Sequence, residues 1–176
     1  MAVSKIQAES MNLADTYAFT GSVTGAGPSV STNTFTPVFS SSGATTAYES
    51  DIYSAYSAQR GDYLRIGDLV WANAYLRVDT SYSYQNGGAD GQTIVLANLP
   101  FTVKNVSNYF PSATFGWQQL DGTGWTSLNM MGYGRWNTKY IEIGYAGATV
   151  WTSILTTHVK DGDGFIVSIV YETDDA

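Results

Sequence analysis

Between residues 68 and 78 the chain alternates with a period of two. Val70, Ala72, Ala74, Leu76 and Val78 fall on one face, and Asn73 and Arg77 on the other. This spacing predicts a strand that buries one side, because successive side chains of extended backbone point to opposite faces. Trp71 and Tyr75 fall on the more polar face, where they pack under a loop, meet another chain or face solvent. Further runs rich in Val, Ile, Thr, Tyr and Trp cover residues 93–97, 114–120, 125–131, 139–145, 149–158 and 165–171, and turn signals such as Asp121-Gly122 and Asp161-Gly162 punctuate them. A strand is also expected within residues 48–59, although Tyr48, Ile52, Tyr53 and Tyr56 fit neither period well. Short strands spaced by turns predict an all-β protein, an antiparallel β-sandwich (jelly-roll-like) with an extended N-terminal arm.

The opening residues break this pattern. Ile6, Met11, Leu13 and Phe19 are isolated apolar anchors ahead of a Gly-rich stretch from Gly21 to Pro28. So few apolar groups cannot offset the entropy of ordering the segment, so it is expected either to lie on a larger surface as an assembly arm or to fray. Residues 1–28 are therefore read as an attachment arm and residues 29–46 as a polar linker or edge segment. Residues 47–176 are read as the β-sandwich domain. Pro37 places any strand of the second segment at a sheet edge, where a missing N–H is tolerated.

Composition narrows the function. At 176 residues, 44% apolar and 13% charged, the chain has the size of one domain with a core. Its net charge of −7 lacks the cationic surface that binding to nucleic-acid phosphates requires. It has no cysteine and a single histidine, which removes disulfides, thiol catalysis and Cys/His zinc sites. No apolar run matches a signal peptide or a membrane span, so synthesis in a cytoplasm without membrane insertion is expected.

Little in the sequence points to catalysis. Asp161-Gly162-Asp163-Gly164 has the alternating carboxylates of a calcium loop but no distal ligands, and a tight hairpin turn explains it better. His158 has no nucleophile elbow to serve. Asp62, Asp68, Asp121, Glu142 and Asp163 supply carboxylates, yet a glycosidase pair is defined by a separation that sequence does not give. No enzymatic activity, metal or cofactor is expected. The aromatic residues are more informative, at 14% of the chain. Rings amid Asn, Gln, Ser and Thr suit stacking on sugar faces or filling a protein interface. Trp117 and Trp151 lie inside strand runs and are expected in the core. Tyr82, Tyr84, Trp125, Tyr133 and Trp136 flank glycines and are the candidate ligand-binding residues.

Three stretches resemble a known group. The segment from Ser4-Lys5-Ile6-Gln7 through Thr24-Gly25-Ala26-Gly27 resembles the N-terminal segment of small virion structural or tail-fibre-like proteins of marine tailed bacteriophages. Gln59-Arg60-Gly61-Asp62-Tyr63-Leu64-Arg65-Ile66-Gly67-Asp68-Leu69-Val70, with Leu99-Pro100-Phe101-Thr102, is similar to a β-domain recurring in phage fibre and virion-surface proteins, as is Gly164-Phe165-Ile166-Val167-Ser168-Ile169-Val170-Tyr171-Glu172-Thr173. The resemblance implies a virion location and a trimeric fibre-like surface protein attached through its arm to other phage virion proteins, capsid or tail. Such a protein would display a β-domain able to bind host-surface glycan. A capsid decoration or cement protein is the alternative, and a polysaccharide depolymerase a second. Trimerisation also has a physical basis in the sequence, since Phe165, Ile166, Val167, Ile169 and Val170 put apolar groups on both faces of one strand.

Overall fold

The computed structural model describes residues 28–44, 48–81, 83–119, 130–146 and 151–175, with backbone alone for 117–119 and 146. The expected arm, including Ile6, Met11, Leu13 and Phe19, lies outside the described residues. Ten strands follow one another in the chain: β1 (Val30–Phe35), β2 (Val38–Ser41), β3 (Tyr56–Ile66), β4 (Leu69–Val78), β5 (Ile94–Ala97), β6 (Ser112–Gln119), β7 (Met130–Gly134), β8 (Ile141–Ala146), β9 (Trp151–Ser153) and β10 (Gly164–Glu172). They form one sheet in the order β1-β3-β4-β10-β6-β7-β8-β5-β2, with β9 added on β8. Every pairing among them is antiparallel.

The sandwich-like fold expected from the sequence is thus built from a single curled sheet. In the strand order β2 lies five steps from β10, about 24 Å away if the sheet were flat. Yet the Phe39 ring of β2 meets the Phe165 ring of β10 edge-on at 5.3 Å between centroids. Curling brings the β2 end over the middle strand, and the core fills the space between. Phe39, Tyr53, Leu76, Ile94, Leu96, Ile141, Ile143 and Phe165 are buried there. Tyr53 and Tyr56 pack around Phe39, with centroids 5.9 and 6.4 Å from its ring.

β4 follows its period of two: Val70, Ala72, Ala74, Leu76 and Val78 are all buried, while Trp71 is 45% exposed. Central β10 does the same, with Phe165, Val167, Ile169 and Tyr171 inside and Ile166 and Val170 outside. The strand expected within residues 48–59 instead begins at Tyr56 and runs to Ile66. Its passage through Gly61 has a steric cause: Gly61 is paired with Phe35 of β1, whose ring occupies the space a Cβ would need. The run 149–158 splits into β9 and a 3-10 turn (Thr156–His158), with Ile154 turned into the core between them. β1 and β2, on either side of Pro37, are the two end strands of the sheet order.

The segment after β5 crosses the end of the sheet near the β10 terminus. The Tyr171 hydroxyl donates to the Phe101 carbonyl at 3.0 Å, and the Glu172 N–H donates to the Tyr109 hydroxyl at 2.9 Å. Asp175 accepts from the Thr102 N–H at 2.7 Å, and Asp174 from the Asn105 N–H at 3.0 Å. These bonds fix the cross-over, and with it the residues on either side.

Candidate functional site

The antiparallel pairing of β6, β7, β8 and β9 places outward residues of these strands side by side. Ser112 faces Tyr133, Tyr133 faces Glu142, and Gly144 faces Ser153. Tyr133 sits at the centre, its ring 5.2 Å from Phe110 and 5.2 Å from Trp151. Trp136, in the turn between β7 and β8, meets the other side of Phe110 at 4.9 Å, in an edge-on contact. Phe110, Met131 and Trp151 are exposed here, and with Ala113, Gly132 and Tyr133 they line a groove of about 540 Å³.

Polar groups hold the rings in place. The Tyr133 hydroxyl donates to Glu142 Oε2 in a short bond, and Arg135 Nη1 bonds the other carboxylate oxygen at 3.0 Å. The Arg135 guanidinium also lies 5.5 Å from the centre of the Trp136 ring. Burial, and then the neighbouring Glu142 carboxylate, push the Tyr133 phenol up to about 12. Tyr133 therefore stays a neutral donor throughout the physiological range. An aromatic groove with an engaged carboxylate and guanidinium at its edge can stack on a flat apolar face while hydrogen-bonding its rim.

Of the sequence-predicted ligand residues, Tyr133 lines this groove, and Trp136 packs on Phe110 beside it without lining it. Tyr84 does not line it. Tyr84 packs on Tyr53, 5.7 Å between centroids, and its hydroxyl donates to Asp90 at 2.9 Å, which closes the Gly-rich loop. Tyr82 and Trp125 lie outside the described residues. Trp151, expected in the core, is 36% exposed. The reason is register: β9 is a three-residue strand at the side of β8, and its tryptophan lies across Gly144, filling the space of the absent side chain. Phe110 and Met131 also escaped the sequence reading.

The other candidate groups have structural partners. Asp62 forms a two-pronged pair with Arg60, at 2.9 and 3.0 Å, on the exposed surface of β3. Asp163 is buried and accepts from the Lys160 N–H at 2.7 Å. The Gly162 carbonyl accepts from Arg77 Nε at 3.1 Å, and Gly162 itself has φ 79°, so the Asp-Gly-Asp-Gly run forms a tight turn. His158 Nδ1 accepts from the Leu155 N–H within the 3-10 turn. Asp121 lies outside the described residues. Among the described residues no group of three His, Cys, Asp or Glu side chains is placed to hold a metal ion.

The arrangement defines an all-β domain with an outward aromatic groove. No protein-family model and no curated protein matches the chain. Among solved structures, the Dettilon tailspike protein (gp208) is similar in fold, with a TM-score of 0.58 at 16% identity. The likeness covers 81% of this chain but 24% of that one, so this chain corresponds to about a quarter of the tailspike. At that identity the likeness is one of fold.

Proposed function

We propose that the protein is a bacteriophage tail-associated surface protein that binds a bacterial surface glycan in the aromatic groove of β6 to β9. The carrying observation is the convergence of Phe110, Tyr133 and Trp151 on one exposed groove, with Trp136 packed against Phe110 beside it. The fold shared with a tailspike supports the virion assignment. Sugar rings offer an apolar face ringed by hydroxyls, which matches exposed aromatic faces beside Arg135 and Glu142. The role is binding rather than catalysis, so incubation with host polysaccharide is expected to release no reducing sugar. Trp136→Ala is expected to weaken adsorption to host cells by about five-fold to a hundred-fold, the range for loss of one stacked ring. Unchanged adsorption by the folded variant would overturn the assignment.

Self-association, as a homotrimer, belongs to the same proposal. The outward face of β3, β4 and β10 carries Ile66, Leu69, Trp71, Ile166 and Val170, all exposed, and Val170 is paired directly across from Trp71. Together they expose about 400 Å² or more of apolar surface, a patch of the size that marks interaction sites. Two of the charge pairs around this patch are internally neutralised, Arg60 with Asp62 and Lys104 with Glu172. Sedimentation equilibrium of the intact chain tests this: an oligomer is expected, and a monomer at millimolar concentration would refute it.

A further inference from the structure

The turn that carries Trp136 also carries Asn137, Thr138 and Lys139, and these line a different concavity, one with polar walls. Tyr48, Asn98 and Thr102 complete it, enclosing about 460 Å³. Two more cavities adjoin it through shared walls. One of about 380 Å³ shares Asn98 and Lys139 and is floored by Tyr63 and Phe101. The other, of about 310 Å³, shares Thr102 and Asn137 and ends at Asp174. Shared walls set the three side by side as candidate subsites of one cleft.

Its backbone is unusual. Among the described residues, Tyr48 (φ 59°), Asn98 (φ 67°) and Asn137 (φ 57°) all adopt the left-handed conformation and all line the central cavity. Asparagine tolerates this region, but for a bulky tyrosine it costs conformational energy, which native structures tend to retain where geometry serves function. Here the cost holds the Tyr48 ring at the cleft wall, 5.1 Å from Tyr140. The Asn98 amide is fixed by donation to the Thr36 carbonyl at 2.5 Å, leaving its own carbonyl to accept. The Thr138 hydroxyl donates to the Arg135 carbonyl at 2.6 Å and retains its acceptor capacity. A carboxamide and a hydroxyl in fixed positions (Asn98 and Thr138), with Asn137 and Thr102 alongside and one ammonium and one carboxylate (Lys139 and Glu49), match a ligand rich in neutral hydroxyls. They do not match a phosphate, which calls for several converging cations. Asp174 at one end and the net charge of −7 disfavour an acidic polymer.

We infer that this cleft is a second glycan site, separate from the aromatic groove, which takes an extended neutral oligosaccharide. The inference stands on its own residues and does not require the groove to bind. Nitrogen-15 spectra of the full chain, titrated with cellohexaose, chitohexaose and hexagalacturonate, test it. At least one neutral hexasaccharide is expected to shift the side-chain amide signals of Asn98 and Asn137, and to bind more tightly than its disaccharide because the cleft spans three cavities. Hexagalacturonate is expected to leave those signals unmoved. Asn137→Gly accepts the same backbone conformation, so it is expected to keep the melting temperature while weakening binding about tenfold, the loss of roughly one hydrogen bond. Asn98→Gly, which also gives up the bond to Thr36, supplies a second variant. Silence of the amide signals with every neutral oligomer overturns the inference, as does equal binding of hexagalacturonate or of the disaccharide. The Trp151 indole signal reports the groove in the same spectra. A shift confined to that indole rejects the cleft and leaves the groove standing, and shifts confined to the amides do the reverse.

Discussion

Asp51 shows how one side chain can serve the fold at a cost. Its Oδ1 accepts from the Tyr56 hydroxyl at 2.7 Å and from the Tyr53 N–H at 3.1 Å, yet burial raises its pKa more than these bonds lower it. The buried charge is therefore a net burden at neutral pH, and an asparagine can offer the same acceptor without it. Asp51→Asn is expected to keep or raise the melting temperature at pH 7, checked by calorimetry. Tyr133 works in the same direction at the alkaline end of the scale. Its phenol moves from 10.0 to about 12 in the folded chain, so the unfolded chain loses that proton first as pH rises. The stabilisation is complete below pH 10 and disappears as pH climbs from 10 to about 12. Buried Tyr56 and Tyr171 are shifted in the same direction. The melting temperature is expected to drop steeply above about pH 10, and Tyr133→Phe to blunt the drop, a comparison that thermal melts across this range make directly.

At the scale of elements, the readable strands are those whose two faces differ. β4 places Val70 to Val78 inward at every second position, and its outline followed from the sequence. β3 did not, because Arg60, Asp62 and Arg65 interrupt its apolar residues and Gly61 reads as a turn. What makes it a strand is Phe35 of β1 lying across that glycine, a contact twenty-six positions away in the chain. A side chain at that position would push β1 off the sheet edge. Gly61→Val is expected to cost about 1 to 3 kcal/mol, the usual penalty for overpacking, measured by urea unfolding. The candidate groove divides in the same way. Tyr133 and Trp136 stood out beside glycines, whereas Phe110 joins them through the pairing of β6 with β7, and Trp151 through the pairings of β7 with β8 and of β8 with β9, which periodicity does not specify. Tyr84 shows the converse: a glycine nearby marks a turn, and that tyrosine is spent on closing it.

For the whole molecule, the outward apolar face and the core make separate claims. Val170→Lys changes an outward residue that is 49% exposed, so it is expected to dissociate the oligomer while leaving the monomer's melting temperature within about 1 °C. Sedimentation and calorimetry on the same sample check both halves. Among the described residues the buried core cluster begins at Phe39, and deletion of residues 2–27 is expected to leave a folded domain. If those residues are the attachment arm, the shortened protein no longer incorporates into particles, which immunoblotting of purified virions reads out.

The position of β10 governs how the chain is made. Gly164–Glu172 is the last of the ten described strands along the chain, yet it sits mid-sheet and is the hydrogen-bonded link between β1-β3-β4 and the other half. Until it emerges from the ribosome, the other described strands form two ribbons that no ladder joins, with a greasy inner surface open to water. A chain interrupted before Gly164 delivers no joined domain, only material for proteases and chaperones.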